Sequence, residues 1–394
     1  MHAWRGIVSV SSGPGEARCL QAACINPLSE PPPAERILVI RLGAMGDVVR
    51  TLPAFAELRA RYPDAHVAWL VEPRAESALR GQPGLDEVIV FPREELETHW
   101  RERRFVALVR DGLRFVGALR RKRFEVVLDF HGILKSGVLS WASGAPVRIG
   151  YAAPFAREGS AAFANRRARI EPARISRFER NAALVDFLGL GPVTAPKAVL
   201  GDGAGWPPDA ARRARMRAAL ASEDRPVALI HPGTSADTLY KRYPVSAWAA
   251  VARALRDDGI ACRVSAGSEA EFEIAQAVVA ASEGAASLAP ATPDLADLAA
   301  LVSGSRLFLG SDSGPLHLAS LAGTPVVQVL GPTDPVENSP WAGTPSRSVR
   351  VSVGCSPCRR GCRAVSCMNV LPPEAVVAAA RELLAAPELE RQRA

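Results

Sequence analysis

Two glycine-punctuated corners, one in each half of the 394-residue chain, carry the residue types best suited to chemistry. In ILVIRLGAMGD (Ile37 to Asp47) an apolar run meets Gly43 and Gly46, which allow a sharp turn and close approach to a ligand. Asp47 then opens a helix, either facing a cleft or acting as an N-cap that satisfies backbone N–H groups; spacing leaves both open. In LFLGSDSGPLH (Leu307 to His317), Ser313 and Gly314 offer backbone N–H groups and Pro315 fits a first helical turn. The helix dipole adds partial positive charge there, so a diphosphate would sit well. Asp312 anchors that loop or accepts from a ligand hydroxyl, and His317, one turn in, either donates to a phosphate oxygen or is a buried structural histidine.

These corners need strands and helices to position them, and the patterning supplies both. ILVIRL, HVAWLVE, DEVIVFP, FEVVLDFHG (Phe124 to Gly132) and VRIGY (Val147 to Tyr151) read as buried strands in the first half. PVALIHPG (Pro226 to Gly233), CRVSAG (Cys262 to Gly267), LFLGSDSG and VVQVLGPTDP (Val326 to Pro335) repeat the pattern in the second, alternating with helices at 246–257, 270–283, 295–302 and 316–322. Such alternation predicts an α/β class with mostly parallel sheets and right-handed crossovers. Ligands in these sheets bind beyond the carboxyl ends of the strands, where every unusual motif falls. Neither a full G-x-G-x-x-G nor a G-x-x-x-x-G-K-[ST] occurs, which argues against a dinucleotide fingerprint and a P-loop ATPase.

The length exceeds one ordinary core, and a 48% hydrophobic composition is ample for two. No run of eighteen apolar residues predicts a membrane span, and the start lacks a signal-peptide core, so a cytosolic location is expected. The net charge of +7 is concentrated locally: nine basic residues lie between Arg101 and Arg123 against Glu102 and Asp111. Phe105, Leu108, Val109, Leu113, Val116 and Leu119 recur there at helical spacing, as in a basic amphipathic helix. Its readings are a solvated arginine face, or contact with an anionic membrane surface or a phosphorylated acceptor. Without an aromatic-rich strand or recognition helix, nucleic acid is not an expected partner.

Four segments in register, ILVIRLGAMGDVVRTLPAFAELRARYP, DFHGILKSG, HPGTSADTLYKRYPVSAW and GSDSGPLHLASLAGTPVVQVLGPTDP, resemble the family 9 glycosyltransferases, the heptosyltransferases of lipopolysaccharide core assembly and their relatives. The resemblance implies a GT-B arrangement, two Rossmann-like domains facing across a central cleft, with the acceptor on the first and the nucleotide-sugar donor on the second. It implies that Asp47 is the general base of an inverting transfer, a role that the helix dipole favours by keeping the carboxylate ionised. Lys241 matches a lysine near the donor phosphates that stabilises the departing diphosphate without a metal. Thr234, Asp312, Ser313, Gly314 and His317 fall with the donor, and Gly46, His131, Lys135, Ser136 and Arg157 with the acceptor. Serine at 313, often threonine in the family, and histidine at 131 depart from its pattern.

The expected division is a mobile extension over 1–34, an acceptor-side domain over 35–195, a linker over 196–225, a donor-binding domain over 226–370, and a final helix and tail over 371–394 that cross back onto the first domain. Cys355, Cys358, Cys362 and Cys367, at C-x2-C-x3-C-x4-C spacing, read as reduced structural thiols rather than a zinc site, because the two-plus-two separation is missing. The function expected is transfer of a heptose from ADP-heptose to a lipid-anchored, anionic inner-core acceptor of lipopolysaccharide. The enzyme would be a monomer, peripheral to the cytoplasmic face of the inner membrane, with no cofactor and no metal. The alternatives are another nucleotide sugar, a GT-B nucleotide-sugar epimerase, and a non-enzymatic glycan binder.

Overall fold

The computed structural model describes residues 8–12, 23–189, 210–220, 225–358 and 361–385. Contacts divide the chain into two compact units, Cys19–Gly201 and the combination of Met1–Arg18 with Asp202–Ala394. The boundary falls inside the stretch expected as a linker.

The first strand, β1 (Val8–Ser12), belongs to the second unit. In the unit Cys19–Gly201, β2 (Ala23–Cys24) precedes β3 (Arg36–Ile40), β4 (His66–Val71), β5 (Glu87–Val90), β6 (Val126–Asp129), β7 (Val147–Tyr151), β8 (Arg166–Ala168) and β9 (Ile170–Glu171). A parallel sheet runs in the order β5-β4-β3-β6-β7-β8, while β2 and β9 form a separate antiparallel pair. The central strand β3 is covered on both faces, which is why Ile37, Leu38, Val39 and Ile40 form an unbroken apolar run, all fully buried. From β3 the chain moves outward through β4 and β5, then returns to β6 on the other side. This reversal opens a crevice at the carboxyl ends of β3 and β6.

The second unit repeats the plan. Its strands are β10 (Val227–His231), β11 (Ala261–Val264), β12 (Ala286–Leu288), β13 (Leu307–Ser311), β14 (Val326–Leu330) and β15 (Ser346–Val351), in the order β1-β15-β14-β13-β10-β11-β12. All pairings are parallel except β1 with β15. The order reverses between β10 and β13, so the HPG and SDSG corners flank a second crevice. Trp248, Val251, Ala252 and Leu255, at helical spacing on helix Val245–Asp257, fill the core beside these strands.

Three expectations about domain limits change. The amino-terminal extension is not wholly free: Val8–Ser12 pairs with Val351–Arg347, and Ala23–Cys24 with Glu171–Ile170. The expected linker contains helix Ala210–Leu220, which packs on helix Leu295–Ser303 with Arg215 Nη2 2.6 Å from Asp297 Oδ1. Finally, helix Pro373–Leu384 packs on helix Val245–Asp257 and buries Val376, Ala379, Ala380 and Leu383 in the core of the second unit. Its apolar face is satisfied there, where a return to the first domain had been expected.

Candidate active site

In the first unit, β3 is followed by Arg41 and Leu42, and the chain turns at Gly43 and continues into the short helix Met45–Val49. Asp47 is not the N-cap; Ala44 holds that position in an extended conformation without a side-chain cap. With its carboxylate free of capping, Asp47 turns into a group of arginines. Arg41 Nη2 lies 2.5 Å from Oδ2, while Arg177 Nη1 and Arg50 Nη1 lie 3.0 and 3.6 Å from Oδ1. Burial works to raise this carboxyl, but Arg41, then Arg177, Arg50 and Arg180, outweigh it and hold the group well below the usual carboxylate range. Gly46, half-buried beside it, lies within the same turn.

A buried network fixes the ring. Thr51 Oγ1 donates to the Asp47 carbonyl at 2.8 Å, and Asn181 Nδ2 donates to Arg50 O and Thr51 Oγ1 at 3.1 and 3.0 Å. Tyr151 OH donates to Asn181 Oδ1 at 3.1 Å, and the Arg180 guanidinium lies over the Tyr151 ring, 5.4 Å from its centroid. Residues from β3, β7 and helix Arg177–Asp186 thus meet around one carboxylate.

The carboxyl end of β6 supplies the facing wall. Leu42 N–H donates to His131 Nδ1 at 3.3 Å, which leaves a neutral ring its proton on Nε2. Burial, then the nearby charge of Arg41, pushes the His131 pKa down to about 3, although Asp47 opposes the shift. The exposed side chain of Arg157 extends from a loop whose backbone N–H donates to Gly132 O at 2.8 Å. Lys135 Nζ pairs with Glu72 Oε1 at 2.9 Å, beside Arg93 Nη1 at 2.8 Å from Glu72 Oε2. Ser136 differs from expectation: it is fully buried, donates to Asp129 Oδ2 at 2.8 Å and accepts from Ile133 N–H. It caps helix Leu134–Ala142 and braces Asp129 instead of facing a ligand.

In the second unit, the carboxyl ends of β10 and β13 bring Lys241 and Asp312 together, with Lys241 Nζ 2.9 Å from Asp312 Oδ2. His317 Nε2 lies 3.1 Å from Asp312 Oδ1. The His317 ring is fully buried, so it supports Asp312 and does not present the surface donor expected for a phosphate. Ser313 takes the N-cap position of helix Gly314–Leu321 with extended backbone but no side-chain cap, and its buried Oγ has no hydrogen-bond partner among the described residues. Thr234 is buried; its Oγ1 donates to Thr238 O at 3.1 Å and accepts from Arg242 Nε at 3.3 Å. It therefore shapes the loop that carries Lys241.

The arginines around Asp47 escaped the sequence reading. A charged residue inside the buried ILVIRL run was the available signal for Arg41, whereas nothing in its local spacing marks Arg180 for this place. Among the described residues, Cys355, Cys358, Cys362 and Cys367 are free thiols, and burial, then the neighbouring Cys358, Cys362 and Cys355, raise the pKa of Cys367. Glu95, His99 and Asp111 bring three possible ligand atoms within 4.8 Å of one another. Both oxygens of Asp111 already pair with guanidiniums, from Arg110 and Arg114 at 2.9 Å, an arrangement that repels a cation.

Residues 113–368 match the family model described as Glycosyltransferase family 9 (heptosyltransferase). Lipopolysaccharide heptosyltransferase 1 of Pseudomonas aeruginosa is 28% identical over 333 residues, covering 82% of this chain and 86% of the relative. Lipopolysaccharide core heptosyltransferase OpsX of Haemophilus influenzae is 25% identical over 317 residues, 77% of this chain and 81% of its own. Among solved structures, E. coli heptosyltransferase WaaC with ADP-2-deoxy-2-fluoro heptose shares the fold, with a TM-score of 0.65 and 24% identity over 88% of this chain and 99% of that one.

Proposed function

The chain belongs to glycosyltransferase family 9, and on that premise we propose that it transfers a heptose from ADP-heptose to a lipid-anchored, anionic inner-core acceptor of lipopolysaccharide, with inversion at the anomeric carbon. The observation that carries this reading is Asp47 held ionised within a ring of four arginines at the crevice of the first unit. A carboxylate so paired is a weak base while the ring is otherwise empty. An acceptor carboxylate or phosphate competes for the same guanidiniums, weakens their hold on Asp47 and raises its basicity as the acceptor hydroxyl arrives. Asp47 then takes the hydroxyl proton as the oxygen attacks in line. His131, neutral and carrying its proton on Nε2, contributes a hydrogen-bond donor beside the acceptor.

The second unit, taken by itself, carries fixed positive groups suited to a donor diphosphate. The backbone N–H groups of Ser313 and Gly314, the dipole of helix Gly314–Leu321 and the Lys241 ammonium receive its charge. Asp312, braced by His317, holds Lys241 ready, and the unpartnered Ser313 hydroxyl gives a phosphate oxygen a further donor. This chemistry requires no metal. The acceptor's lipid anchor places the enzyme at the cytoplasmic face of the inner membrane; among the described residues no helix is long and apolar enough to cross it.

The test is incubation of the full chain with ADP-heptose and a water-soluble truncated acceptor, followed by mass spectrometry. A gain of one heptose, with inverted configuration by NMR, is the expected result. Asp47→Asn should reduce turnover by about 10²- to 10⁴-fold while leaving thermal stabilisation by the donor unchanged. No transfer with any nucleotide sugar, or normal turnover by Asp47→Asn, sinks the proposal.

A further inference from the structure

Helix Phe105–Arg121 has its polarity turned inside out. Of its seventeen residues only Asp111 and Leu119 are buried, while Phe105, Val106, Val109 and Leu113 are 52%, 85%, 58% and 66% exposed. At about 100° per residue these four lie on one arc of roughly 100°, the buried Asp111 points away from it, and Phe115 and Leu119 meet the core on the flank beyond Phe105. Trp100, at the end of helix Arg93–Arg101, is 65% exposed and packs edge-on against Phe105 with ring centroids 5.8 Å apart. An apolar strip of this extent, led by two aromatic rings, marks an interaction surface and not scattered surface hydrophobes.

What borders the strip identifies its occupant. The buried Asp111 carboxylate accepts from His99 at 3.2 Å and fixes Arg110 and Arg114, each at 2.9 Å, with those arginine side chains 61% and 70% exposed. Arg110 and Arg114 occupy the adjoining arc of the helix. Between Trp100 and Arg114 the chain carries five arginines against Glu102 and Asp111. Apolar side chains flanked by guanidiniums, with Trp at the margin, match the boundary between anionic headgroups and acyl chains. A second copy would set arginine against arginine.

We propose that helices Arg93–Arg101 and Phe105–Arg121 form the face by which this chain docks on an anionic lipid bilayer. Phe105, Val106, Val109 and Leu113 enter the acyl boundary, and Arg110 and Arg114 meet lipid phosphates. The choice of bilayer rests on the reading above, that the acceptor is lipid-anchored.

Co-sedimentation with vesicles of phosphatidylglycerol and phosphatidylethanolamine tests this against vesicles of phosphatidylcholine alone. Binding of the full chain should be at least about tenfold stronger to the anionic vesicles and should weaken as salt rises. The double variant Val106→Glu, Leu113→Glu changes exposed side chains, so its circular dichroism and melting temperature should match the parent while vesicle binding falls at least about tenfold. Equal binding to both vesicle types, undiminished binding by the variant, or a dimer that this variant dissociates in sedimentation velocity would overturn the proposal. Transfer to the water-soluble acceptor separates the two ideas. A variant that transfers normally but no longer binds vesicles supports the docking face, and a parent that binds vesicles in this way but transfers to no acceptor refutes only the enzymatic reading.

Discussion

Arg41 joins two sides of one crevice: its Nη2 lies 2.5 Å from Asp47 Oδ2, and its Nη1 donates to the Phe130 carbonyl at 2.7 Å. One buried guanidinium thus links the carboxylate after β3 to the end of β6. Arg41→Gln should remove the nearest cation from Asp47 and raise its pKa. The acid limb of the kcat/KM profile would then move upward. The Asp47 pKa is depressed in the folded chain, so its stabilising contribution is present above the ordinary carboxylate value of about 3.9 and is lost as pH falls below it. The variant should also lose about 1–3 kcal/mol at neutral pH because the Phe130 carbonyl loses its charged donor. An unchanged acid limb, measured from pH 4 upward, would contradict the pairing.

His131 makes a pH prediction of the same sign in a higher window. Its folded pKa of about 3 lies below that of an unfolded histidine near 6.5. The unfolded chain therefore takes up a proton first, and stability drains as pH falls from about 6.5, by up to about 1.4 kcal/mol per pH unit. His131→Asn retains an oxygen to accept from Leu42 N–H and lacks that slope. Chemical denaturation at pH 7 and pH 5 should show the parent losing about 2 kcal/mol more than the variant. Equal losses would mean that the ring is not held neutral.

Lys241→Ala should lower kcat/KM for the donor by about 10²- to 10³-fold. Asp312 retains its contact with His317, so the melting temperature should change little. EDTA should leave the parent's rate unaltered. A strong loss on chelation, restored by a divalent cation, would contradict charge stabilisation by Lys241 and the helix N-terminus alone.

Ser136→Ala separates bracing from binding. Asp129 also accepts from His131 N–H at 2.9 Å and Gly132 N–H at 3.2 Å, and loses its third donor in the variant. A cost of about 1–3 kcal/mol in stability is expected, with the acceptor KM unchanged. A raised acceptor KM at full stability would return Ser136 to the acceptor site.

The family resemblance, with the matching of Lys241 that it implies, the alternation of strands and helices, and the placing of Asp47 and Asp312 just beyond strand ends were all legible in the residues. Buried parallel strands must be apolar on both faces, as Ile37–Ile40 and Leu307–Leu309 are, and a sharp turn at such an end needs residues like Gly43. Short-range rules of this kind act through neighbours along the chain, so sequence alone expresses them. It also located the arginine-rich helix, because charge and apolar spacing are local properties.

Only the tertiary structure decided which charges meet. Asp47 and Arg177 are 130 positions apart, and Lys241 and Asp312 are 71 apart. Their pairing depends on strand order, which local periodicity does not encode. The same holds for His317 and Ser136: their side chains look available from spacing, yet burial directs them to carboxylates inside the protein. Helix Phe105–Arg121 shows the converse, because apolar periodicity identifies a face but not whether protein covers it. Contact between distant segments, and the desolvation it brings, determines which polar group becomes a support and which apolar side chain stays outside.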